Sequence, residues 1–410
     1  MNFENLFAER MSVMKRSSIR EILKLTARPE VISFAGGLPA PELFPTERFA
    51  EAAAKVITEQ GQQALQYSPT EGMMELRELI AGRLSTPEFR IDAANVLLVT
   101  GSQQGLDFIC RVFLNENDKM VVANPTYLGM LMASRPYYPH YLPVETDDDG
   151  ILIETLDDAL EARPKMIYTV PNFQNPQGVT LSTQRRQQLI DRTYDRSLVI
   201  IEDNPYGELR YSGQDQPSLI SMDAAKRGAN GVEGNVIYLG TFSKILAPGL
   251  RIGWIVANDV IIDKLVQIKQ SADLHSSTLS QYIAYEVSRD GFLETHIATL
   301  RDVYRQRRDV MLNALETYFP AEVKWCKPEG GLFLMVTLPE HVDAYALLQR
   351  ALEYNVAFVP GGDFHVGKSG WNTFRLNFSN AQPDMIVEGV KRLGALLKEE
   401  LVASAAAHNS

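Results

Sequence analysis

The chain has only two cysteines among its 410 residues, and this scarcity excludes several classes of protein. Cys110 and Cys326 lie far apart, and neither belongs to a CxxC pair. The sequence therefore predicts neither a disulfide framework nor a zinc site, and it fits a reducing cytoplasm. The six histidines are dispersed and form no metal-ligand pattern, so we expect no metal.

Long apolar runs and clusters of positive charge are also missing. The longest uncharged apolar stretch, 120–134, is interrupted by Pro125 and is too short to cross a membrane. The net charge is −11 and the basic residues are scattered, whereas binding to nucleic-acid phosphates needs clustered Lys and Arg. The first twenty residues mix acids and bases and lack the apolar core of a signal peptide. We expect no membrane association and no nucleic-acid partner.

Apolar strand-like runs alternate with helical patterns between residues 96 and 256, which predicts an α/β fold with a mostly parallel, doubly wound sheet. Long helical stretches follow, and a smaller α+β region closes the chain. We expect residues 1–48 to form an N-terminal arm that contributes to the small domain and the substrate site. Residues 49–290 would form the large domain, and residues 291–410 the C-terminal small domain.

The segment 235–254 carries the strongest indication of a functional site. A partly β-branched apolar run ends at Gly240, and Thr241, Ser243, Lys244 and Arg251 follow within a few residues. Two hydroxyls, an amine and a guanidinium among apolar neighbours indicate an anion site beside a lysine. Burial would lower the pKa of that lysine and leave more of it as the free amine that attacks a carbonyl. The alternative is an ordinary surface lysine.

Two further strand ends carry polar groups. Glu202 and Asp203 end an apolar strand at its carboxyl edge, where open α/β sheets bind their ligands, although a solvated strand end is the alternative. The strand at 96–99 runs through Gly101 into a helix that starts near Ser102 and Gln103. Such a turn points free N–H groups at a phosphate, but it is a common feature by itself.

The segment from Thr241 to Lys244, with the trailing Pro-Gly-Leu-Arg-Ile-Gly at 248–253, resembles the cofactor-lysine segment of fold type I pyridoxal-phosphate aminotransferases. Thr241 stands where relatives often have Ser, a change that keeps the hydroxyl. The similarity runs from Ile19 to 374–376 and is greatest to the branch of 2-aminoadipate and kynurenine aminotransferases. It implies a homodimer with shared active sites.

The resemblance also implies roles for single residues. Lys244 would hold pyridoxal 5'-phosphate, Asp203 would contact its ring nitrogen, and Tyr206 and Asn175 would contact its phenolic oxygen. Tyr127 would stack on the ring, although a tyrosine that fills the core is the alternative. The phosphate would be bound by Ser102, Gln103, Thr241, Ser243, Arg251 and the partner subunit's Tyr67.

For the substrate, the resemblance implies that Arg375 binds the α-carboxylate beside Asn175 and the loop at Gly36 and Gly37. Arg20, on a short helix predicted over 17–25, would bind the distal carboxylate of a dicarboxylic donor. The alternatives are a strand-edge arginine at 375 and a solvent-facing arginine at 20. The reaction would move an amino group from an L-amino acid to a 2-oxo acid, with 2-oxoglutarate as the expected acceptor. Candidate donors are 2-aminoadipate, aromatic or kynurenine-like and branched-chain amino acids.

Three other functions compete with this interpretation. Residues 362–369 match the G-x-x-x-x-G-K-S phosphate-loop pattern, but a true phosphate loop opens a helix and the residues after Ser369 predict a strand. An effector sensor with a DNA-binding domain would need more than the roughly thirty residues before the loop at 34–37. A pyridoxal-phosphate lyase of the same fold would share the cofactor site and stays open.

Overall fold

A computed structural model describes residues 3–16, 20–22, 28 and 30–408. The helix predicted over 17–25 lies largely outside the described residues, and its described part, 20–22, has a helical backbone. None of the described helices is both long enough and apolar enough to cross a membrane.

The strands in chain order are β1 (Ile32–Ser33), β2 (Val96–Val99), β3 (Lys119–Asn124), β4 (His140–Asp147), β5 (Gly150–Ile151), β6 (Met166–Thr169), β7 (Val199–Asp203), β8 (Val236–Thr241), β9 (Gly253–Val256), β10 (Lys324–Trp325), β11 (Phe333–Thr337), β12 (Val356–Ala357), β13 (Val359–Pro360) and β14 (Thr373–Asn377). The α-helices are α1 (Thr46–Ala64), α2 (Met74–Leu84), α3 (Ser102–Phe113), α4 (Leu128–Ser134), α5 (Ile153–Glu161), α6 (Thr183–Thr193), α7 (Leu219–Arg227), α8 (Asp259–Ala272), α9 (Thr278–Ser288), α10 (Phe292–Tyr318), α11 (Ala344–Glu353) and α12 (Pro383–His408).

Eight strands form the central sheet in the order β2-β9-β8-β7-β6-β3-β4-β5. The five strands from β8 to β4 are parallel to their neighbours, whereas β9 is antiparallel to both β2 and β8, and β5 is antiparallel to β4. Every residue of β6, β7 and β8 is buried, as expected for parallel strands covered by helices on both faces. The predicted α/β class and the mostly parallel sheet are confirmed.

A second, antiparallel sheet of four strands has the order β10-β11-β14-β13. The arm before α1 joins this region, since β1 pairs in parallel with β12 and the amide of Asn377 donates to the carbonyl of Phe34. This pairing brings the loop at 36–37 next to β14. The division of the chain at residues 48 and 290 stays a prediction.

The phosphate-loop match at 362–369 lacks its helix. Residues Gly361–Phe364 form a single 3-10 turn, and the chain then enters β14 at Thr373. The nucleotide-binding alternative is therefore wrong.

Glu202 and Asp203 end β7 with side chains on opposite faces of the sheet, and both are buried. The two carboxylate oxygens of Glu202 accept the amides of Leu219 and Ile220 at 3.0 and 2.9 Å, and these are the first residues of α7. Glu202 thereby caps the positive end of a helix, while Asp203 is left for the other face. The alternative that Glu202 and Asp203 form a solvated strand end is therefore wrong.

We predict that Glu202→Gln lowers the free energy of unfolding by about 1 to 3 kcal/mol, because an amide offers one acceptor oxygen to two buried N–H donors. Urea unfolding of the variant measures this difference. Glu116→Gln makes the same change at an exposed site and serves as the control. Equal stability of the two variants would contradict the capping role.

Candidate active site

The carboxyl ends of three adjacent parallel strands meet at one edge of the central sheet. Strands β6, β7 and β8 end at Thr169, Asp203 and Thr241, and the segments that follow them carry Asn175, Tyr206 and Lys244. The topology therefore gathers residues that are far apart in sequence at the position where such sheets bind ligands.

The Lys244 side chain is half-buried, and its Nζ donates a hydrogen bond of 2.8 Å to the carbonyl oxygen of Gly37. Burial, reinforced by the positive charges of Arg375 and Arg251, lowers the pKa of Lys244 to about 8. At pH 7 roughly a tenth of the amine is then neutral, far more than for an ordinary lysine. The surface-lysine alternative does not hold.

Asp203 is 2% exposed, and its two carboxylate oxygens are in different situations. Oδ2 accepts a hydrogen bond of 2.8 Å from the hydroxyl of Tyr168, whereas Oδ1 is buried and has no partner in the part of the chain that the structure describes. Burial raises the pKa of Asp203 to about 7, and the Tyr168 bond opposes that rise. A buried carboxylate oxygen with no donor fits a ligand N–H.

Arg375 is 1% exposed, and its hydrogen-bond partners among the described residues are all neutral. It donates to Asn175 Oδ1 and to the carbonyl oxygen of Ala35, each at 2.7 Å, while no described residue accepts from its Nε. The guanidinium carbon lies 4.1 Å from the centre of the Phe333 ring. Burial lowers the pKa of Arg375 to about 10. A buried guanidinium of this kind favours an incoming carboxylate.

Two tyrosines line the same space. The Tyr206 hydroxyl is hydrogen-bonded to the side chain of Asn175, and burial raises the pKa of Tyr206 far above its ordinary value. Burial, together with the charge of Asp203, raises the pKa of Tyr127 to about 12, while the cations Arg375, Arg251 and Arg20 oppose the rise. Arg20 is exposed to solvent, yet its charge acts on this tyrosine, so it lies near the site.

Two glycines make tight contacts with Arg251 and with the start of α3. Gly101 has φ +76°, and a Cβ there would lie 2.5 Å from Nη2 of Arg251. A Cβ on Gly253 would lie 2.7 Å from the amide nitrogen of Ser102, the first residue of α3. Only glycine allows this approach, which sets a helix N-terminus beside a guanidinium. The Arg251 side chain bonds at 3.4 Å to the carbonyl oxygens of Pro248 and Thr100, two long contacts that leave its charge unneutralised.

Of the other residues predicted for the phosphate, Gln103, Thr241 and Ser243 lie on the segments next to this contact, since Gln103 follows Ser102 and Thr241 pairs with Gly253. The Thr241 and Ser243 hydroxyl oxygens are 2.9 Å apart, and the amide of Ser243 donates to Thr241 Oγ1 at 3.1 Å. The side-chain amide of Gln103 donates to the carbonyl oxygen of Gly129 at 2.9 Å. Tyr67 is 78% exposed, and its ring meets the edge of His275 at 5.6 Å between centroids.

The loop before α1 forms one wall of the site. Gly36 is buried, the carbonyl of Gly37 accepts from Lys244, and a Cβ on Gly37 would lie 3.1 Å from the Phe333 ring. Sequence reasoning did not single out Phe333 or Tyr168. A tyrosine in the fully buried strand β6 needs a hydrogen-bond acceptor for its hydroxyl. This need could have marked Tyr168 in the sequence as the partner of a buried polar group.

These residues fit pyridoxal phosphate. The unpaired Asp203 Oδ1 suits a ring N–H, the glycine contact beside Arg251 suits a phosphate, and the Lys244 amine suits an aldehyde. When bound, the cofactor supplies that aldehyde and a ring that withdraws electrons. The fold and the site thus define a fold type I pyridoxal-phosphate enzyme.

The chain belongs to the aminotransferase class I and II family, whose model matches residues 30–393. It is 44% identical to aromatic-amino-acid aminotransferase 1 of Thermococcus litoralis, over 98% of this chain and 96% of that protein. It is 43% identical to 2-aminoadipate transaminase of Thermus thermophilus, over 97% and 98% of the two chains.

A solved structure supports the same assignment. The crystal structure of an alpha-aminoadipate aminotransferase from Thermus thermophilus, complexed with N-(5'-phosphopyridoxyl)-L-leucine, matches with a TM-score of 0.91 and 40% identity, covering 98% of this chain and 100% of that one. The chain is a pyridoxal-phosphate aminotransferase, and the predictions of family, cofactor and enzyme class are confirmed.

We predict that borohydride-reducible attachment of pyridoxal phosphate to the cofactor-free protein accelerates with pH up to about 8 and then levels off, since the neutral amine of Lys244 is the reacting form. Stopped-flow absorbance measures the rate, and Lys244→Ala is the control that should show no attachment. A rate that keeps rising toward the pKa of an ordinary lysine would contradict the lowered value.

Proposed function

We propose that the enzyme binds the α-carboxylate of an L-amino acid on Arg375 and passes the amino group to a 2-oxo acid, with 2-oxoglutarate as the acceptor. The observation that carries this proposal is a guanidinium 1% exposed with neutral partners only. A planar guanidinium can form two parallel hydrogen bonds with a carboxylate, which gives both affinity and orientation. The same carboxylate is present in the donor and in the acceptor, so one residue serves both halves of the reaction.

The other residues would take the following roles. The neutral amine of Lys244 would take a proton from Cα of the bound amino acid and deliver it to the carbon that the cofactor's aldehyde supplies, and it would move a proton in the opposite direction in the second half-reaction. Asp203 accepts the hydrogen bond of the ring N–H through its unpaired Oδ1. Tyr206 and Asn175 hold the phenolic oxygen, and Tyr127 packs on the ring. The phosphate is held by the set Ser102, Gln103, Thr241, Ser243 and Arg251, with Tyr67 added by a partner subunit.

The donor is proposed to be a dicarboxylic amino acid such as 2-aminoadipate, with aromatic donors also accepted. In support, Arg20 is exposed to solvent and still acts electrostatically on Tyr127, so a distal carboxylate at the mouth of the site would meet a cation. Two relatives are named for 2-aminoadipate and for aromatic amino acids, which agrees with a pocket that serves both.

We predict that Arg20→Gln lowers kcat/KM for 2-aminoadipate and glutamate about tenfold and leaves kcat/KM for phenylalanine unchanged, because only the dicarboxylic donors lose an ion pair. Arg375→Lys serves as the comparison and should lower kcat/KM for all three donors, because they share the α-carboxylate.

Steady-state kinetics with 2-oxoglutarate as the acceptor measure both effects for 2-aminoadipate and phenylalanine. For glutamate, whose 2-oxo acid product is 2-oxoglutarate itself, the rate of conversion of the bound cofactor in a single half-reaction is measured instead. An equal loss for phenylalanine and 2-aminoadipate in Arg20→Gln would contradict the proposed role of Arg20. Full activity of Arg375→Lys would contradict the α-carboxylate site itself.

The enzyme is further proposed to be a cytoplasmic homodimer in which Tyr67 reaches the phosphate of the neighbouring subunit. Tyr67 is exposed, and so are the large apolar side chains of Leu65 and Met74, which lie near it in sequence. Leu274 is also exposed, and it precedes His275, whose ring contacts that of Tyr67. Exposed apolar groups of this size commonly mark a protein interface. Cys110 and Cys326 are free thiols, in keeping with a reducing compartment.

We predict that Tyr67→Phe weakens pyridoxal-phosphate binding about tenfold, since it removes one hydrogen bond to an anion. If Tyr67 acts in the neighbouring subunit, mixing Tyr67→Phe with Lys244→Ala subunits restores sites that combine an intact Lys244 with an intact Tyr67. Cofactor titration of the mixture would then show a fraction of sites with wild-type affinity. A mixture with no such fraction would contradict the shared site.

A further inference from the structure

We propose that Tyr168 is a positioning residue for the cofactor: it occupies one oxygen of Asp203 and keeps the carboxylate ionised, so that the other oxygen meets the ring nitrogen. This inference rests on the role proposed above for Asp203 and adds to it a residue from the neighbouring strand.

The geometry makes the two oxygens of Asp203 unequal. Tyr168 lies on β6 and Asp203 ends β7, and the two strands are hydrogen-bonded neighbours. The Tyr168 side chain is 1% exposed, and its hydroxyl donates to Oδ2 at 2.8 Å. That bond fixes the rotation of the carboxylate group and leaves Oδ1 as the oxygen without a donor. A carboxylate free to rotate would have to lose that freedom when the cofactor binds.

The bond also opposes the cost of burial. Burial raises the pKa of Asp203 to about 7, and the hydrogen bond from Tyr168 lowers it. The charge of Asp203 helps to raise the pKa of the nearby hydroxyls of Tyr127, Tyr206 and Tyr238, so all three are neutral at pH 7. Without the Tyr168 hydroxyl, the pKa of Asp203 would rise further and more of it would be protonated at neutral pH. A protonated Asp203 no longer attracts a positively charged ring nitrogen.

The test uses pyridoxamine phosphate, which binds without a bond to Lys244, and measures its Kd on the cofactor-free protein between pH 6.5 and pH 9. We expect Tyr168→Phe to bind about tenfold more weakly than wild type at pH 6.5, with a difference that shrinks toward pH 9, where Asp203 is ionised in both proteins. Titration of the ligand itself is common to all variants and cancels in the ratio of Kd values.

Tyr238→Phe is the matched control, because it removes another buried hydroxyl near Asp203 that is bonded to Asn204 at 3.1 Å and not to the carboxylate. It should leave the Kd ratio flat across the pH range. The melting temperatures of the cofactor-free variants show that each one is folded.

Asp203→Asn separates the two proposals. If it leaves the Kd of pyridoxamine phosphate unchanged, Asp203 does not contact the ring nitrogen, and the role of Tyr168 is overturned with it. If Asp203→Asn weakens binding but Tyr168→Phe has no effect, or has the same effect at every pH, only the role of Tyr168 is overturned. A deficit that shrinks with rising pH in Tyr168→Phe alone supports it.

Discussion

The burial of charged groups without full pairing is the constraint on which this active site depends. Lys244 and Asp203 lie at one edge of the central sheet, and Arg375 belongs to β14 of the second sheet. Burial shifts the pKa values of Lys244, Asp203 and Arg375 to about 8, 7 and 10, each in the direction that favours the neutral form. In a folded protein such groups are normally paired, because an unpaired buried charge is costly. Here each has a neutral partner or an unused atom, so that a bound cofactor and substrate can supply the missing charges.

The rest of the fold holds these groups in place. Alternation along β7 sends Glu202 to cap α7 on one face and Asp203 to the site on the other. Gly101 and Gly253 allow the helix N-terminus at Ser102 to approach Arg251. The pairing of β1 with β12 brings the carbonyl groups of Ala35 and Gly37 to Arg375 and Lys244. Rigid elements thus preorganise the site before any ligand binds.

Much of this arrangement could be predicted from the sequence. The periodic apolar runs were enough for the fold class, and the motif around Lys244, together with further motifs in the family's order along the chain, was enough for the family and the cofactor. Local context also decided against the phosphate-loop pattern, because no helix follows it. These inferences work when the signal is contained in one continuous segment.

Contacts between distant segments were harder to predict. Arg375 and Asn175 are 200 residues apart, and nothing in either segment indicates that they share a hydrogen bond. Tyr168 sits in an apolar strand whose pattern gives no reason to single it out, and its partner becomes visible only when β6 and β7 are paired. The proposed dicarboxylic donor rests on the single residue Arg20, and a single residue is not a motif.

Amino transfer at this site is tested most directly by the visible absorption spectrum of the purified enzyme with bound pyridoxal phosphate, recorded before and after adding an L-amino acid without any 2-oxo acid. We predict that the absorption of the lysine-bound cofactor is replaced by that of pyridoxamine phosphate, that adding 2-oxoglutarate reverses the change, and that Lys244→Ala does neither. A spectrum that does not change with any amino acid, or release of a cleaved product without formation of pyridoxamine phosphate, would contradict amino transfer at this site.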